Sequence, residues 1–385
     1  MTNDQQVYRK HNSFAGFRGH DAKDAGTTLA KIAAALEEPI NTSQLTTNFQ
    51  TILERVKTDL FAAGSLGRPR FGLTPHVAKE IDLLAERDIA RYLVHRYRYE
   101  IHPQLYLLDD YPPYLQIEPT SICNYRCVFC YQTDNSFTRR SNGFMGHMTL
   151  DTFKNLIDQA QGNVEFISLA SRGEPMLCKD INAMLAYTRG KFLNLKLNTN
   201  ASVLDDDKAH AILQSGVKTL VFSVDAAEEP LYSQLRVNGS LEKVLENIER
   251  FQKIRETQYP NAKIITRVSG VKVRAEQDLD GMVSYWGGLV DQVAFVAYVP
   301  WENVYDAPYT NIASPCSDLW RRMFVWWDGR INPCDVDYRT TLSAGLLAKH
   351  RLTDLWRSEA YEALRSTHAN SQRSSVSPCN RCVVV

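Results

Sequence analysis

Apolar residues change their spacing twice along this chain, and the changes divide it into three parts. Over Leu45–Ala63 and Pro75–Tyr99 they recur with a helical period, and Thr74-Pro75 suits an N-cap followed by a first-turn proline. Residues 1–110 therefore read as a helical cap. From Tyr114 onward, short β-rich runs alternate with helical stretches. Strands are expected at Tyr114–Glu118, Val164–Ala170, Leu193–Asn198, Thr219–Val224, Lys263–Val268 and Gln292–Ala297, and helices at Leu150–Gln161, Leu204–Ser215 and Leu241–Thr257. Alternation of this kind specifies a parallel sheet with helical crossovers. Six such units suit a partial (β/α)6 barrel of the TIM type, an α/β fold, over residues 111–300. After Pro300, Phe324-Val325-Trp326-Trp327 and Arg330-Ile331-Asn332-Pro333 flank Asp328-Gly329, a hairpin signal. A helix from Thr353 to about His368 follows, so residues 301–385 read as a small hairpin and helix extension.

Composition narrows the partners. Lysine plus arginine and aspartate plus glutamate each number 44, so no global field favours nucleic acid or an anionic membrane. No apolar stretch approaches a membrane span, and the polar start Met1-Thr2-Asn3-Asp4-Gln5-Gln6 lacks a signal-peptide core. A cytoplasmic protein is expected. Eight cysteines, clustered near the middle and at the C-terminal end, suggest metal sites in a reducing compartment over a disulfide framework.

Cys123, Cys127 and Cys130 form a C-x3-C-x2-C run directly after the first barrel strand. Three thiolates hold three corners of a [4Fe–4S] cubane and leave one iron open. Structural zinc wants four ligands, and the nearest candidate for a fourth, His147, is too far along the chain for such motifs. The run, with Phe129 just before its last cysteine, resembles the signature of the radical S-adenosylmethionine (SAM) enzymes. That resemblance implies that the amine and carboxylate of SAM chelate the open iron and that Phe129 lies near adenine.

Cys316, Cys334, Cys379 and Cys382 make a second set, and four ligands close a site for either a cluster or zinc. Pro315-Cys316, Asp328 through Asp335, Leu355-Trp356-Arg357-Ser358 with Tyr361, and Pro378-Cys379-Asn380-Arg381-Cys382 resemble the SPASM-type extension of radical SAM enzymes. Full SPASM domains carry seven cysteines, so four imply a single auxiliary [4Fe–4S] cluster. The resemblance runs from about Tyr114 to Val385. Cys178, with no partner at a metal spacing, is expected to be a packed core residue.

Successive strand ends carry polar groups suited to the cofactor. Arg172-Gly173-Glu174-Pro175 resembles the family's Gly-Gly-Glu-Pro motif with arginine for the first glycine, which implies that Gly173 and Glu174 receive the methionine ammonium. Asn198 and Asn200, then Ser223 and Asp225, resemble the segments facing the ribose and methionine. Arg267 and Ser269 are placed to hold the carboxylate through charge-assisted hydrogen bonds. Taken singly, these are ordinary turn residues. Arg139-Arg140 and Arg321-Arg322 are too short for a phosphate-binding groove, Phe324–Trp327 reads as hairpin core, and Gly287-Gly288 as a turn.

The family resemblance implies a reduced cluster that splits SAM into a 5′-deoxyadenosyl radical, which takes a hydrogen atom from substrate. An auxiliary cluster with four protein ligands favours electron acceptance and hence a net oxidation. Asp335, Asp337 and Tyr338 beside Cys334 are the candidate general bases. An electron donor such as flavodoxin or ferredoxin is expected, with a carbohydrate or nucleotide sugar as substrate. A ribosomal peptide is the alternative, because peptide maturases often begin with a winged-helix module whose strands residues 1–110 do not suggest. A metal-stabilised binding protein without catalysis is the third reading.

Overall fold

The structure, a computed structural model, describes residues 7–9, 14–19, 25–37, 48–62 and 67–385. The polar start at Met1–Gln6, Leu45–Thr47 and Ala63 lie outside the described residues. One ten-stranded sheet organises the chain. Its strands are β1 (Phe14–Gly19), β2 (Tyr114–Ile117), β3 (Phe166–Leu169), β4 (Asn194–Thr199), β5 (Val217–Ser223), β6 (Ile265–Lys272), β7 (Gln292–Ala297), β8 (Arg322–Val325), β9 (Arg330–Asn332) and β10 (Gly345–Leu346). They lie in the order β1-β7-β6-β5-β4-β3-β2-β8-β9-β10.

Strands β2 to β7 are mutually parallel and form the expected six-stranded partial barrel, which does not close. Buried aliphatic and aromatic residues pack between the sheet and its crossover helices, among them Leu150–Ala160, Asp206–Ser215 and Leu241–Gln258. Polar residues start these helices: the side chains of Thr149, Asp205 and Ser240 accept bonds from Thr152 N, Lys208 N and Lys243 N.

The N-terminal region is helical, as expected, but contains a strand as well. β1 pairs antiparallel with β7 at the barrel's edge, with Phe17 opposite Ala294. The expected helix over Pro75–Tyr99 is two helices, α1 (Pro75–Leu83) and α2 (Glu86–Glu100), because Leu84 and Ala85 are extended. Lys31 stabilises the break, its Nζ donating to the carbonyls of Ile81, Asp82 and Leu84 at 2.8–3.1 Å. Thr74 precedes α1 without a capping bond and pairs with His76 instead. The helices share an apolar cluster with Tyr114, Phe166 and Leu193, at or beside the first residues of β2, β3 and β4. They thus form a floor beneath the barrel.

The C-terminal extension is continuous with the barrel. β8 runs parallel to β2, with Arg322 opposite Tyr114, and turns through Gly329 (φ 78°) into β9. The expected helix from Thr353 to His368 is interrupted at Arg357-Ser358, where the Ser358 side chain caps a second helix, Glu359–Ala369.

Candidate active site and auxiliary cluster site

The chain leaves β2 through Glu118 into the three-cysteine loop, which is pinned before it reaches the first sulfur. Ser121 N donates to Gly146 O (3.1 Å), and Gly146 N donates to Ser121 Oγ (2.8 Å). Arg126–Cys127 pairs antiparallel with Arg236–Val237. Glu174 N donates to Ile122 O at 2.9 Å, and a Cβ at Gly173 would stand 2.4 Å from Thr120 O. Only glycine fits that approach, so the glycine of the strand-end motif is dictated by packing against the cysteine loop.

Cys123, Cys127 and Cys130 line one end of a cavity of about 550 Å³. Tyr125 N donates to Cys123 Sγ at 3.4 Å, and Arg236 Nη1 lies 3.8 Å from Cys127 Sγ. Burial, then the Glu174 carboxylate, pushes the Cys123 thiol up to about 12, and burial also raises Cys127 and Cys130. These thiols need a bound cation to stay ionised, and binding would expel their protons. The amide and guanidinium aimed at sulfur suit thiolate ligands. Among the described residues, no three His, Cys, Asp or Glu side chains close around a single ion.

The strand-end residues divide into two kinds. Asn198, Ser223 and Ser269 face the cavity, and Asn198 Oδ1 is buried without a partner among the described residues. Phe129 lines it too, with its carbonyl accepting from Trp301 Nε1. Glu174, Asn200 and Asp225 also reach the cavity but are tied into its walls. Glu174 accepts from Thr199 Oγ1 (2.7 Å), Asn200 N (2.6 Å) and Met176 N (3.1 Å), and burial raises its carboxyl above the ordinary range. Asn200 bonds Asn124, which carries the tie to the cysteine loop. Asp225 is fully buried, ion-paired with Arg236 at 2.6 Å, and accepts from Val271 N. Arg267 reaches lower: its guanidinium holds Gln292 Oε1 and lies over Phe14 and Phe17.

The second cysteine set gathers beside the barrel mouth. Cys334 and Cys382 pack on a cluster containing Tyr131, Phe137, Val336 and Tyr338, a cluster that Cys130 also touches. Cys316 and Cys379 pack on Leu319, Trp320 and Leu364. Val336 N and Val384 N donate to Cys334 Sγ (3.2 Å) and Cys382 Sγ (3.4 Å), repeating the bond at Cys123. Burial, then Asp318, pushes the Cys316 thiol up to about 11. All eight cysteines are free, and Cys178 is buried in the core as expected.

Of the three candidate bases, Asp335 alone lines the cavity. Asp337 is consumed by structure: it is fully buried and accepts from Tyr305 Oη, Thr341 N, Thr341 Oγ1 and Leu342 N. Tyr338 stacks on Tyr131 at 4.9 Å and places its hydroxyl 2.8 Å from Asp134 Oδ2. Neither faces substrate space. Proximity to Cys334 in sequence does not decide orientation in a tight loop.

The family model of the radical SAM superfamily matches residues 117–268, and that of the SPASM iron–sulfur cluster-binding domain matches residues 316–383. The chain is a radical SAM protein with a SPASM domain. Its radical SAM domain implies a [4Fe–4S] cluster and SAM, and its SPASM domain an auxiliary iron–sulfur cluster. Over 140 residues it is 27% identical to GTP 3′,8-cyclase of Clostridium botulinum, covering 36% of this chain and 42% of that one. Over 147 residues it is 28% identical to AdoMet-dependent heme synthase of Methanosarcina barkeri, covering 38% and 41%. The chain thus spans about two fifths of the length of these curated relatives. SuiB of Streptococcus suis, bound to precursor peptide SuiA, superposes with a TM-score of 0.52 at 15% identity over 92% of this chain and 86% of that one. At that identity the likeness is one of fold.

Several residues of this radical SAM site escape a motif reading. Arg236 reaches Cys127 from a distant helix end. His368 accepts from Cys316 N at 3.1 Å through Nδ1 and, held to about 4 by burial, stays neutral. Arg373, 1% exposed, donates to the carbonyls of Ser314, Cys379, Cys382 and Val384. Arg172, the departure from the glycine motif, is bidentate to Glu118 (2.6 and 2.7 Å), donates to Tyr338 O (2.8 Å) and lies 4.0 Å over Trp326. It joins the radical SAM domain to the SPASM domain. No helix among the described residues is long and apolar enough to cross a membrane.

Proposed function

We propose that this protein is a radical SAM oxidoreductase that oxidises or dehydrates a small polar substrate, a carbohydrate or nucleotide sugar, inside the barrel. The observation that carries the reading is the cavity: it runs from the three thiols to the helical floor, and polar side chains such as Asn198, Ser223, Ser269, Lys196 and Arg267 are interspersed along its largely apolar wall. When bound, SAM and the first cluster supply a 5′-deoxyadenosyl radical, and the auxiliary cluster supplies an electron acceptor. Asn198, Ser223 and Ser269 offer neutral donors and acceptors to ribose and amino acid groups, and Glu174 keeps about one acceptor position on Oε2 for the ammonium. Asp335 is assigned the proton of the substrate hydroxyl, so that hydrogen atom, proton and electron leave a carbinol as a ketone. Flavodoxin or ferredoxin is the proposed reductant. A peptide substrate is the second reading, favoured by the extent of the fold likeness to SuiB.

The test is anaerobic incubation of the reconstituted protein with SAM, dithionite and candidate substrates, following 5′-deoxyadenosine and product by mass spectrometry. Asp335→Asn should keep 5′-deoxyadenosine formation and lose oxidised product at least tenfold. Turnover with peptides and none with any sugar would overturn the carbohydrate reading.

A further inference from the structure

The lower half of the cavity contains charge that the reading above does not use. Lys196 projects from the middle of β4 into the cavity, where it is half-buried. It has no hydrogen-bond or ion-pair partner within contact distance among the described residues. Lysine is rarely buried unless paired. Arg267 faces the same space, with Nε and Nη2 both on the single oxygen of Gln292. His95, 1% exposed, also lines it, and neither of its ring nitrogens has a partner among the described residues.

The charges around this chamber do not balance. Arg96 is paired with Glu100, and Arg322 lies 3.6 Å from Asp318. Among the described residues, Glu80, which already accepts from Tyr92 Oη, is the carboxylate that faces Lys196 and Arg267. Burial, then Arg267 and Arg322, lowers the Lys196 ammonium to about 7. His76 is held to about 4 by burial and Arg96, so it adds no charge at neutral pH. With Arg96 and Arg322 each matched by a carboxylate, Lys196 and Arg267 are left facing the single carboxylate of Glu80. Unbalanced charge of this kind is costly away from water, and a positive surplus that grows as Lys196 takes up its proton suits a phosphoryl anion.

We propose that Lys196 and Arg267 form a phosphoryl-binding site in the barrel floor, which anchors a phosphorylated substrate by the end remote from the radical. This rests on the cavity being the substrate site and specifies the substrate's class. The ester oxygen would point up toward the cysteine loop, with the sugar carbons in the cavity between Lys196 and the three thiols. Asn198, one step above Lys196 on the same face of β4, is within the path between them.

The experiment titrates the reconstituted, SAM-loaded protein with inorganic phosphate by calorimetry. One phosphate should bind per chain. Lys196→Met should weaken binding at least tenfold, Lys196→Arg should restore most of it, and Lys218→Met, which lines a neighbouring groove and not this cavity, should leave it unchanged. Iron content and circular dichroism of each variant separate lost binding from lost folding. A hexose phosphate should then raise 5′-deoxyadenosine formation at least tenfold over the free hexose, and Lys196→Met should abolish that preference. No saturable phosphate binding, binding indifferent to Lys196→Met, or equal response to ester and free sugar would each overturn the proposal. Phosphate binding through Lys196 in a protein that forms no 5′-deoxyadenosine with any sugar would sink the oxidoreductase reading and leave the site standing.

Discussion

The two cysteine sets reach their sites by opposite routes. Cys123, Cys127 and Cys130 belong to one loop, shaped by the end of β2 and by neighbours such as Gly173 and Gly146. The other four come from three separate segments, with Cys379 and Cys382 sharing the last. Cys334 arrives on a hairpin of the barrel sheet, while Arg373 gathers the carbonyls around Cys379 and Cys382, and His368 holds Cys316 N. A loop-borne site tolerates disturbance elsewhere, whereas an assembled site depends on the whole extension being folded. The open site is therefore the locally robust one, and the closed site is the globally dependent one.

The sharpest way to break this contrast is at the open set. Cys127→Ala should reduce 5′-deoxyadenosine formation to background while the auxiliary cluster persists, leaving about four irons of about eight, as read by iron analysis and electron paramagnetic resonance. Cys334→Ala should leave a similar iron count but the opposite phenotype: SAM cleavage within a few-fold of normal, with oxidised product lost. Equal loss of cleavage in both variants would show that the two sites fold as one unit. Arg172→Ala tests the link between them. It strands the fully buried Glu118 carboxylate, which should cost about 3–5 kcal/mol and lower the thermal midpoint without changing either cluster's ligands.

The smallest effect lies far from both sets. Lys196 is held to about 7 in the folded protein against an ordinary 10.5. Below pH 7 both states are protonated, and the folded state bears the full cost of burying the charge. As pH rises from about 7 to about 10, the folded state sheds its proton before the unfolded state does, so stability climbs through that window. In phosphate-free buffer, Lys196→Met should melt above wild type at pH 6.5, and the advantage should shrink by pH 9. A constant difference would mean that the ammonium is solvated.

Residues whose partners lie nearby in sequence were legible before the structure, and residues whose partners lie far away were not. The six barrel strands show as short apolar-rich runs between helical stretches, and the cysteine triplet shows because its three ligands share one loop. β1 was hidden, since Phe14–Gly19 becomes a strand only against the free edge of β7. The break at Leu84-Ala85 depends on Lys31, some fifty positions earlier. Arg172 looked like a blemish in a glycine motif, although its side chain is what meets Tyr338. Asp337 and Tyr338 looked catalytic from their place beside Cys334, and only their hydrogen bonds reveal them as scaffolding.

The pairing of β8 with β2 has a consequence for anyone wishing to treat the extension as an interchangeable cassette. Tyr114–Ile117 bonds β3 on one side and Arg322–Val325 on the other, and Glu118 N donates to Val325 O at 2.9 Å. A cut near residue 300 would strip one whole edge from the strand that launches the cysteine loop. The exposed ladder would be a template for intermolecular strand addition, so a truncated barrel should be recovered as aggregate. A chimera should succeed only if its graft point falls beyond Asn332, where the hairpin has already been completed.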